Sequence, residues 1–404
     1  MKSFHTFKLI AAAALVCTAQ TVLAQGKYDT GANDTEIKIG NISPYSGPAS
    51  AYGIMGRMHA AFFRMINEQG GINGRRINFI SYDDGFSPPK AVEQARKLVE
   101  SDEVFAIFNS IGTPSNSAIH KYMNSKKVPQ IFIATGATKW GDPKNFPWTI
   151  GWQPNYQSEG RAYAKYLLKE HPGAKIGVLY QNDDFGKDLL KGLKDGLGSH
   201  ASLIVAESSY EITEPTIDTH IVKLKAANVG VLMSMTTPKF GAQSIKKVAE
   251  LGWKPVHIIS YISSSLSAIK AAGFENAQGI LSSNYSKDAT DSRWKDDAGI
   301  KRFTEFMDKY LPDGDKTDGS TLYAYGVAQT LVHTIKQCGN DLTRENLMRQ
   351  AAHLKDLDND IFLPGITINT SPTDFFPIEQ FQMERLTGDH WEMFGDVING
   401  DVGG

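Results

Sequence analysis

The feature that most limits what this chain can fold into is its regular alternation of short β-rich runs with amphipathic helical stretches. Residues 36–42 (EIKIGNI) read as a strand. Residues 49–69 follow as a helix, with Ala60, Ala61, Phe63, Met65 and Ile66 as apolar positions, and Gly70-Gly71 ends it. Residues 76–82 (RINFISY) form the next strand. Pro88-Pro89 opens a helix in which Ala91, Val92, Ala95, Leu98 and Val99 recur at three- to four-residue spacing. A buried strand (104–108), a helix (114–124) and another strand (129–134) complete a βαβαβαβ series, which implies an α/β fold with a parallel sheet and right-handed crossovers.

A second cycle then begins. Helices are expected over 157–169, 186–197, 217–227 and 240–251, and strands over 175–180, 203–206, 229–234 and 256–260. Further helices are expected over 298–310 and 320–337, and short strands between 366 and 394. The 404 residues suit two or three domains. Two similar α/β units without a long linker suggest two lobes joined by short crossings, and a cleft between such lobes is a natural ligand site.

Composition narrows the function. Lys plus Arg is 42 and Asp plus Glu is 44, so no basic excess is available to neutralise a nucleic-acid backbone. The two cysteines, Cys17 and Cys338, cannot form a Cys-rich zinc site or a disulfide framework. Lys2 and Lys8, the apolar run 9–16 and Val22-Leu23-Ala24 have the layout of a secretory signal cut after Ala24. Thr18, Gln20 and Thr21 interrupt the run before it reaches the roughly 20 residues of a membrane span. An exported protein is expected, with Cys338 as its lone cysteine.

Catalytic motifs are missing. The sequence has no phosphate-binding G-x-x-x-x-G-K-[ST] loop, no G-x-S-x-G nucleophile elbow and no H-E-x-x-H zinc helix. Asp83-Asp84 and Asp183-Asp184 each follow a strand, where Asp caps the next helix. Neither an enzyme nor a cofactor or metal is expected.

Several segments resemble the branched-chain amino-acid class of periplasmic solute-binding proteins, the receptors of bacterial ABC importers. They are Ser43-Pro44-Tyr45-Ser46-Gly47-Pro48, Ile66-Asn67-Glu68-Gln69-Gly70-Gly71, Tyr82-Asp83-Asp84, Gly112-Thr113-Pro114-Ser115, Asn182-Asp183-Asp184-Phe185-Gly186 and Ala324-Tyr325-Gly326, in that order. The likeness implies the type I periplasmic-binding fold: two Rossmann-like lobes with parallel-sheet cores, joined by a hinge of short crossover segments. The expected division is 36–154 plus 286–376 for one lobe and 155–285 plus 377–396 for the other. It also implies a periplasmic monomer that closes over a small molecule and hands it to two permease and two ATPase subunits.

Gly112-Thr113 and Gly136-Ala137-Thr138 each lie just after a strand, where ligands of parallel sheets sit and helix-start N–H groups point at anions. The two threonines also suit helix capping. In the resembled family the matching segments hold the ligand carboxylate, with a tyrosine at the position of Tyr52 beside it. Trp152, Tyr156, Phe185 and Tyr325 are aromatic candidates for the rest of the cleft, since each ring offers a flat apolar face. Ile111 and Thr236 complete the candidate set.

One position departs from the family. Amino-acid binders carry a glutamate after the strand matching 256–260, where it neutralises the ligand ammonium; here Ile262 stands there, and a second acidic position falls at Tyr156. A buried ammonium without a carboxylate partner is costly. The expected ligand is therefore a carboxylate without an α-ammonium, an aromatic or arylaliphatic acid. The alternatives are a binder of aliphatic amino acids, a secreted α/β enzyme and a sensory module.

Overall fold

The computed structural model describes residues 26–400. The expected export signal and Cys17 lie outside them. The first half runs β1 (Lys27–Tyr28), β2 (Glu36–Ser43), α1 (Gly53–Glu68), β3 (Arg76–Asp83), α2 (Pro88–Arg96), β4 (Ala106–Phe108), α3 (Thr113–Lys126), β5 (Gln130–Ile133) and β6 (Thr149–Gly151). Strands β2–β6 form a five-stranded parallel sheet in the order β3-β2-β4-β5-β6. Every residue of β4 and β5 is buried, as a sheet covered on both faces requires.

The chain then continues through α4 (Tyr156–Glu170), β7 (Ile176–Gln181), α5 (Asp184–Leu197), β8 (Ile204–Tyr210), α6 (Asp218–Ala226), β9 (Val231–Met235), α7 (Pro238–Glu250) and β10 (Val256–Ile259). A 3₁₀ turn (Tyr261–Ser263), α8 (Leu266–Ala272) and β11 (Leu281–Asn284) follow. Next come α9 (Ala298–Tyr310), α10 (Gly319–Cys338), β12 (Asp341–Leu342), α11 (Arg344–Ala351), β13 (Gln380–Thr387) and β14 (His390–Asn399). The second sheet has seven strands in the order β14-β13-β11-β10-β9-β7-β8, parallel except for the antiparallel pair β13 and β14 at one edge. β1 and β12 pair separately.

Helices α9 and α10 return to the first sheet, where Phe62 of α1 meets Phe306 at 5.7 Å and Tyr325 at 5.3 Å. The chain thus passes between the two sheets three times: after β6, after β11 and before β13. Helices α4 and α5 pack at backbone distance. A Cβ on Gly160 would stand 2.6 Å from the Leu193 nitrogen, and one on Gly192 would stand 2.6 Å from the Gln157 Cα. The first turn of α4 thus packs on the middle of α5, and the Tyr156 and Phe185 rings meet edge to face at 4.9 Å.

The order of the main strands and helices follows the sequence reading; the two-residue strands β1 and β12, helices α8 and α11 and strand β11 were not expected. Helices α8 and α11 and strand β11 are short (LSAIKAA, RENLMRQA, LSSN), and their periodicity is too brief to register. The expected short strands from residue 366 are replaced by irregular chain up to residue 379 and then by one long hairpin, β13–β14. Among the described residues no helix is long and apolar enough to cross a membrane.

Candidate functional site

A cleft between the two sheets holds about 1170 Å³ of empty space, part of it open to solvent. That is room for a small molecule. Its first-sheet wall comes from the start of α1 (Tyr52, Met55), the loop after β3 (Phe86), the start of α3 (Ile111, Gly112, Thr113) and the start of α10 (Asp318, Leu322, Tyr323). Its second-sheet wall comes from Gln181, Asp183 and Phe185, from Thr237, and from Tyr261, Ile262, Ser264 and Trp391. The crossings add Gln153, Tyr156, Asn284 and Tyr285.

Eight aromatic rings line this space: Tyr52, Phe86, Tyr156, Phe185, Tyr261, Tyr285, Tyr323 and Trp391. Tyr261 and Tyr285 meet at 5.7 Å with their planes at 88°. Burial pushes the Tyr156 phenol up to about 12 and holds those of Tyr52, Tyr261, Tyr285 and Tyr323 above the ordinary range. All five phenols are therefore neutral donors at ordinary pH. The Tyr156 oxygen accepts from Gln153 Nε2 at 3.2 Å and the Tyr323 oxygen from Asn109 Nδ2 at 3.0 Å, which fixes both rings.

Several helices begin at the cleft, and their starts are capped differently. Asp183 caps α5 by accepting from the N–H groups of Phe185 (3.0 Å) and Gly186 (3.3 Å). Ser265 caps α8 and Asp318 caps α10. Helix α3 starts at Gly112, φ +95°, with no side-chain cap. Helices α1, at Tyr52, and α7, at Thr237, also start at the cleft without a side-chain cap. The free N–H groups of α3 suit an anion. Thr113 Oγ1 lies beside them, 2.6 Å from Thr135 Oγ1. The lysines in the lining are already paired, Lys287 with Asp297 at 2.8 Å and Lys316 with Asp308. Asp183 and Asp318 have no base partner, and burial raises both carboxyls above the usual range.

Seven of the candidates read from the sequence line the cleft: Tyr52, Ile111, Gly112, Thr113, Tyr156, Phe185 and Ile262. Six are placed elsewhere in the structure. Tyr325 lies two helical positions beyond Tyr323, about 200° around α10, so Tyr323 faces the cleft while Tyr325 packs on Phe62, Phe303 and Phe306. Trp152 is fully buried, its Nε1 donating to Thr330 Oγ1 at 2.9 Å, and the next residue, Gln153, reaches the cleft instead. Gly136 sits behind Tyr156: its carbonyl accepts the Tyr156 N–H at 2.8 Å, and a Cβ would stand 2.9 Å from the ring. Ala137 belongs to the buried cluster of the second sheet. Thr138 donates its N–H to Asp188 at 2.7 Å and its hydroxyl to Asn155 at 3.2 Å. Thr236 is buried against Ser263.

The sequence reading missed Phe86, Gln153, Tyr261, Tyr285, Tyr323 and Trp391. Tyr261 and Gln153 are next to residues it named, so widening each loop by one would have found them. Trp391, on the last hairpin, reaches the cleft only through sheet pairing and leaves no local signal.

Thr138→Val is therefore expected to leave ligand affinity within about twofold while removing one hydrogen bond, about 0.5–1.5 kcal/mol of stability. Calorimetric titration beside a denaturant melt checks this. A tenfold affinity loss would return Thr138 to the ligand.

A family model described as periplasmic binding protein matches residues 36–389. The Leu/Ile/Val-binding protein homolog 1 of Brucella abortus is 25% identical over 316 residues, covering 77% of this chain and 81% of the relative. The Leu/Ile/Val-binding protein of Escherichia coli is 24% identical over 250 residues, 61% of this chain and 66% of the relative. A branched-chain amino acid ABC transporter structure from Thermus thermophilus with bound valine superposes with a TM-score of 0.80 at 16% identity, over 91% of this chain and 97% of the other. This chain and the Thermus thermophilus structure share the fold.

Proposed function

The chain belongs to the periplasmic binding protein family, and from that premise we propose that it is the periplasmic substrate-binding protein of an ABC importer whose lobes close over an aromatic or arylaliphatic carboxylate. The observation that carries this reading is the combination of an uncapped helix start, at Gly112 with Thr113 beside it, with eight rings around the same space. The α3 N–H groups and Thr113 receive the carboxylate. The rings of Tyr52, Tyr156 and Phe185 receive the apolar body. Ile262 keeps the second wall apolar where an ammonium would need a charge. The protein acts as a monomer, without enzymatic chemistry, and delivers its ligand to permease and ATPase subunits.

A second reading, uptake of aliphatic amino acids, is favoured by Asp183 and Asp318. Both carboxyls line the cleft and neither is paired to a base, so either offers an ammonium a partner. The names of the Brucella and Escherichia relatives point the same way.

Calorimetry with benzoate against L-leucine separates the two. Benzoate is expected to bind the parent more tightly. Ile262→Glu is expected to weaken benzoate by more than about tenfold, or 1.4 kcal/mol, because it buries a second negative charge beside an anion. Tighter binding of leucine by the parent would overturn the carboxylate-only reading and leave the solute-binding reading standing.

A further inference from the structure

Glu159 is an unusual residue for the place it occupies. It lies in the first turn of α4, just past the first crossing, and is fully buried. Its Oε1 accepts from the Tyr261 N–H at 2.9 Å and from the Tyr163 hydroxyl at 2.8 Å, and its Oε2 has no hydrogen-bond partner. The Tyr163 oxygen is held in turn by Ser283 Oγ at 3.1 Å and stands 3.0 Å from the Ile259 carbonyl.

This carboxyl supports a cleft wall. Tyr261 and Ile262 both line the cleft. The Tyr261 carbonyl accepts from the N–H and hydroxyl of Ser264, whose own carbonyl accepts from Trp391 Nε1 at 2.7 Å. Ser264 and Trp391 also line it. One buried acid thus anchors the backbone of the wall that presents Ile262.

No lysine, arginine or histidine among the described residues pairs with Glu159. The titratable groups facing it are phenols: Tyr163 on its own helix and Tyr261 on the turn after β10, with Ser260 as a neutral neighbour. A second buried acid, Glu384 on β13, lies near Ser264, Asn284 and Ser282 and interacts with Asp288. Burial pushes the Glu159 carboxyl up to about 7, well above the ordinary range.

We propose that Glu159 is a positioning residue of the cleft that takes up a proton when the lobes close over an anionic ligand. The sign follows from linkage: an anion enclosed in the cleft, on the far side of the Tyr261 wall that Glu159 holds, disfavours the carboxylate and favours the acid, so protonation rises on binding. An ammonium-bearing ligand would reverse it and release a proton. The proposal rests on the carboxylate reading of the site for its ligand, and on the Glu159–Tyr261 bond for its mechanism.

The test uses benzoate, titrated calorimetrically at about pH 7 in phosphate and in Tris, whose ionisation heats differ. Net proton uptake by the parent, lost in Glu159→Gln and kept in Glu384→Gln, is the expected result. Uptake that persists in E159Q, or that vanishes in E384Q instead, overturns the assignment to Glu159. Proton release on benzoate binding overturns the sign. A separate measurement needs no ligand: the Tyr261 amide shift of the parent, followed by NMR from about pH 5 to about pH 9, is expected to titrate near neutrality. A flat Tyr261 amide overturns the proposal whatever binds. If benzoate fails to bind while the amide titrates, the ligand class falls and Glu159 stands as the ionising support of the wall.

Discussion

Gly112→Ala is expected to weaken carboxylate binding by more than about a hundredfold, close to 2.7 kcal/mol, and to lower the melting temperature as well. Two costs combine at this position. Gly112 has φ +95° and ψ 134°, a conformation that costs a residue with a side chain on the order of 1–3 kcal/mol. A Cβ there would also overlap the Phe86 ring, with Cζ at only 3.0 Å. Phe86 is poorly able to retreat. Its own φ is +59°, and its N–H is held by Asp84 Oδ1 at 2.9 Å. Asp84 Oδ2 accepts from Ser115 Oγ at 2.6 Å, which ties the same loop to α3. Relief of the overlap must therefore move either the helix start or the ring, and both line the cleft. Calorimetry with benzoate and a thermal melt measure the two effects separately. Parental affinity in G112A would show that the ligand does not sit at the start of α3.

Trp152→Ala is expected to cost about 3–5 kcal/mol of stability, read from denaturant midpoints. The ring is fully buried and packs against Tyr323 at 5.2 Å, Phe362 at 5.6 Å and Tyr285 at 6.3 Å. Its loss also removes the Nε1 bond to Thr330. Because Tyr323 and Tyr285 line the cleft from the other side, the variant is expected to bind more weakly only as its walls loosen. Trp152→Phe should then recover part of the stability. A loss below about 1 kcal/mol for W152A would mean that the site collapses around the gap, and that the packing of these rings is not what holds the crossing.

Much of the fold was legible because it rests on periodicity. Strands such as β2 and β7 and helices such as α9 carry patterns that no other fold class explains, and α9 has the bounds expected of it. The site was legible only where chemistry is local. Gly112 and Thr113 follow a strand and open a helix, so their place in the cleft follows from chain direction. Tyr325 and Trp152 show what spacing along the chain cannot supply. An aromatic residue near the right segment faces the ligand or the core according to helix phase and strand alternation, and neighbouring positions decide between Tyr323 and Tyr325 or Gln153 and Trp152. Tyr285, Asn284 and Trp391 come from late segments brought to the cleft by sheet pairing across α9, α10 and α11, where no local pattern marks them.

The same late pairing governs how the chain reaches its final state. β11 takes β13 as its antiparallel neighbour, Leu281 opposite Arg385, with three helices of the other lobe lying between them in sequence. While synthesis proceeds from the N-terminus, β11 waits as an open strand edge, a template for unwanted pairing. The apolar face of α1 waits too, since Phe62 finds Phe306 and Tyr325 only after α9 and α10 appear. Interleaving the segments in this way postpones both cores together, so neither lobe reaches its final burial until nearly the whole chain has been made.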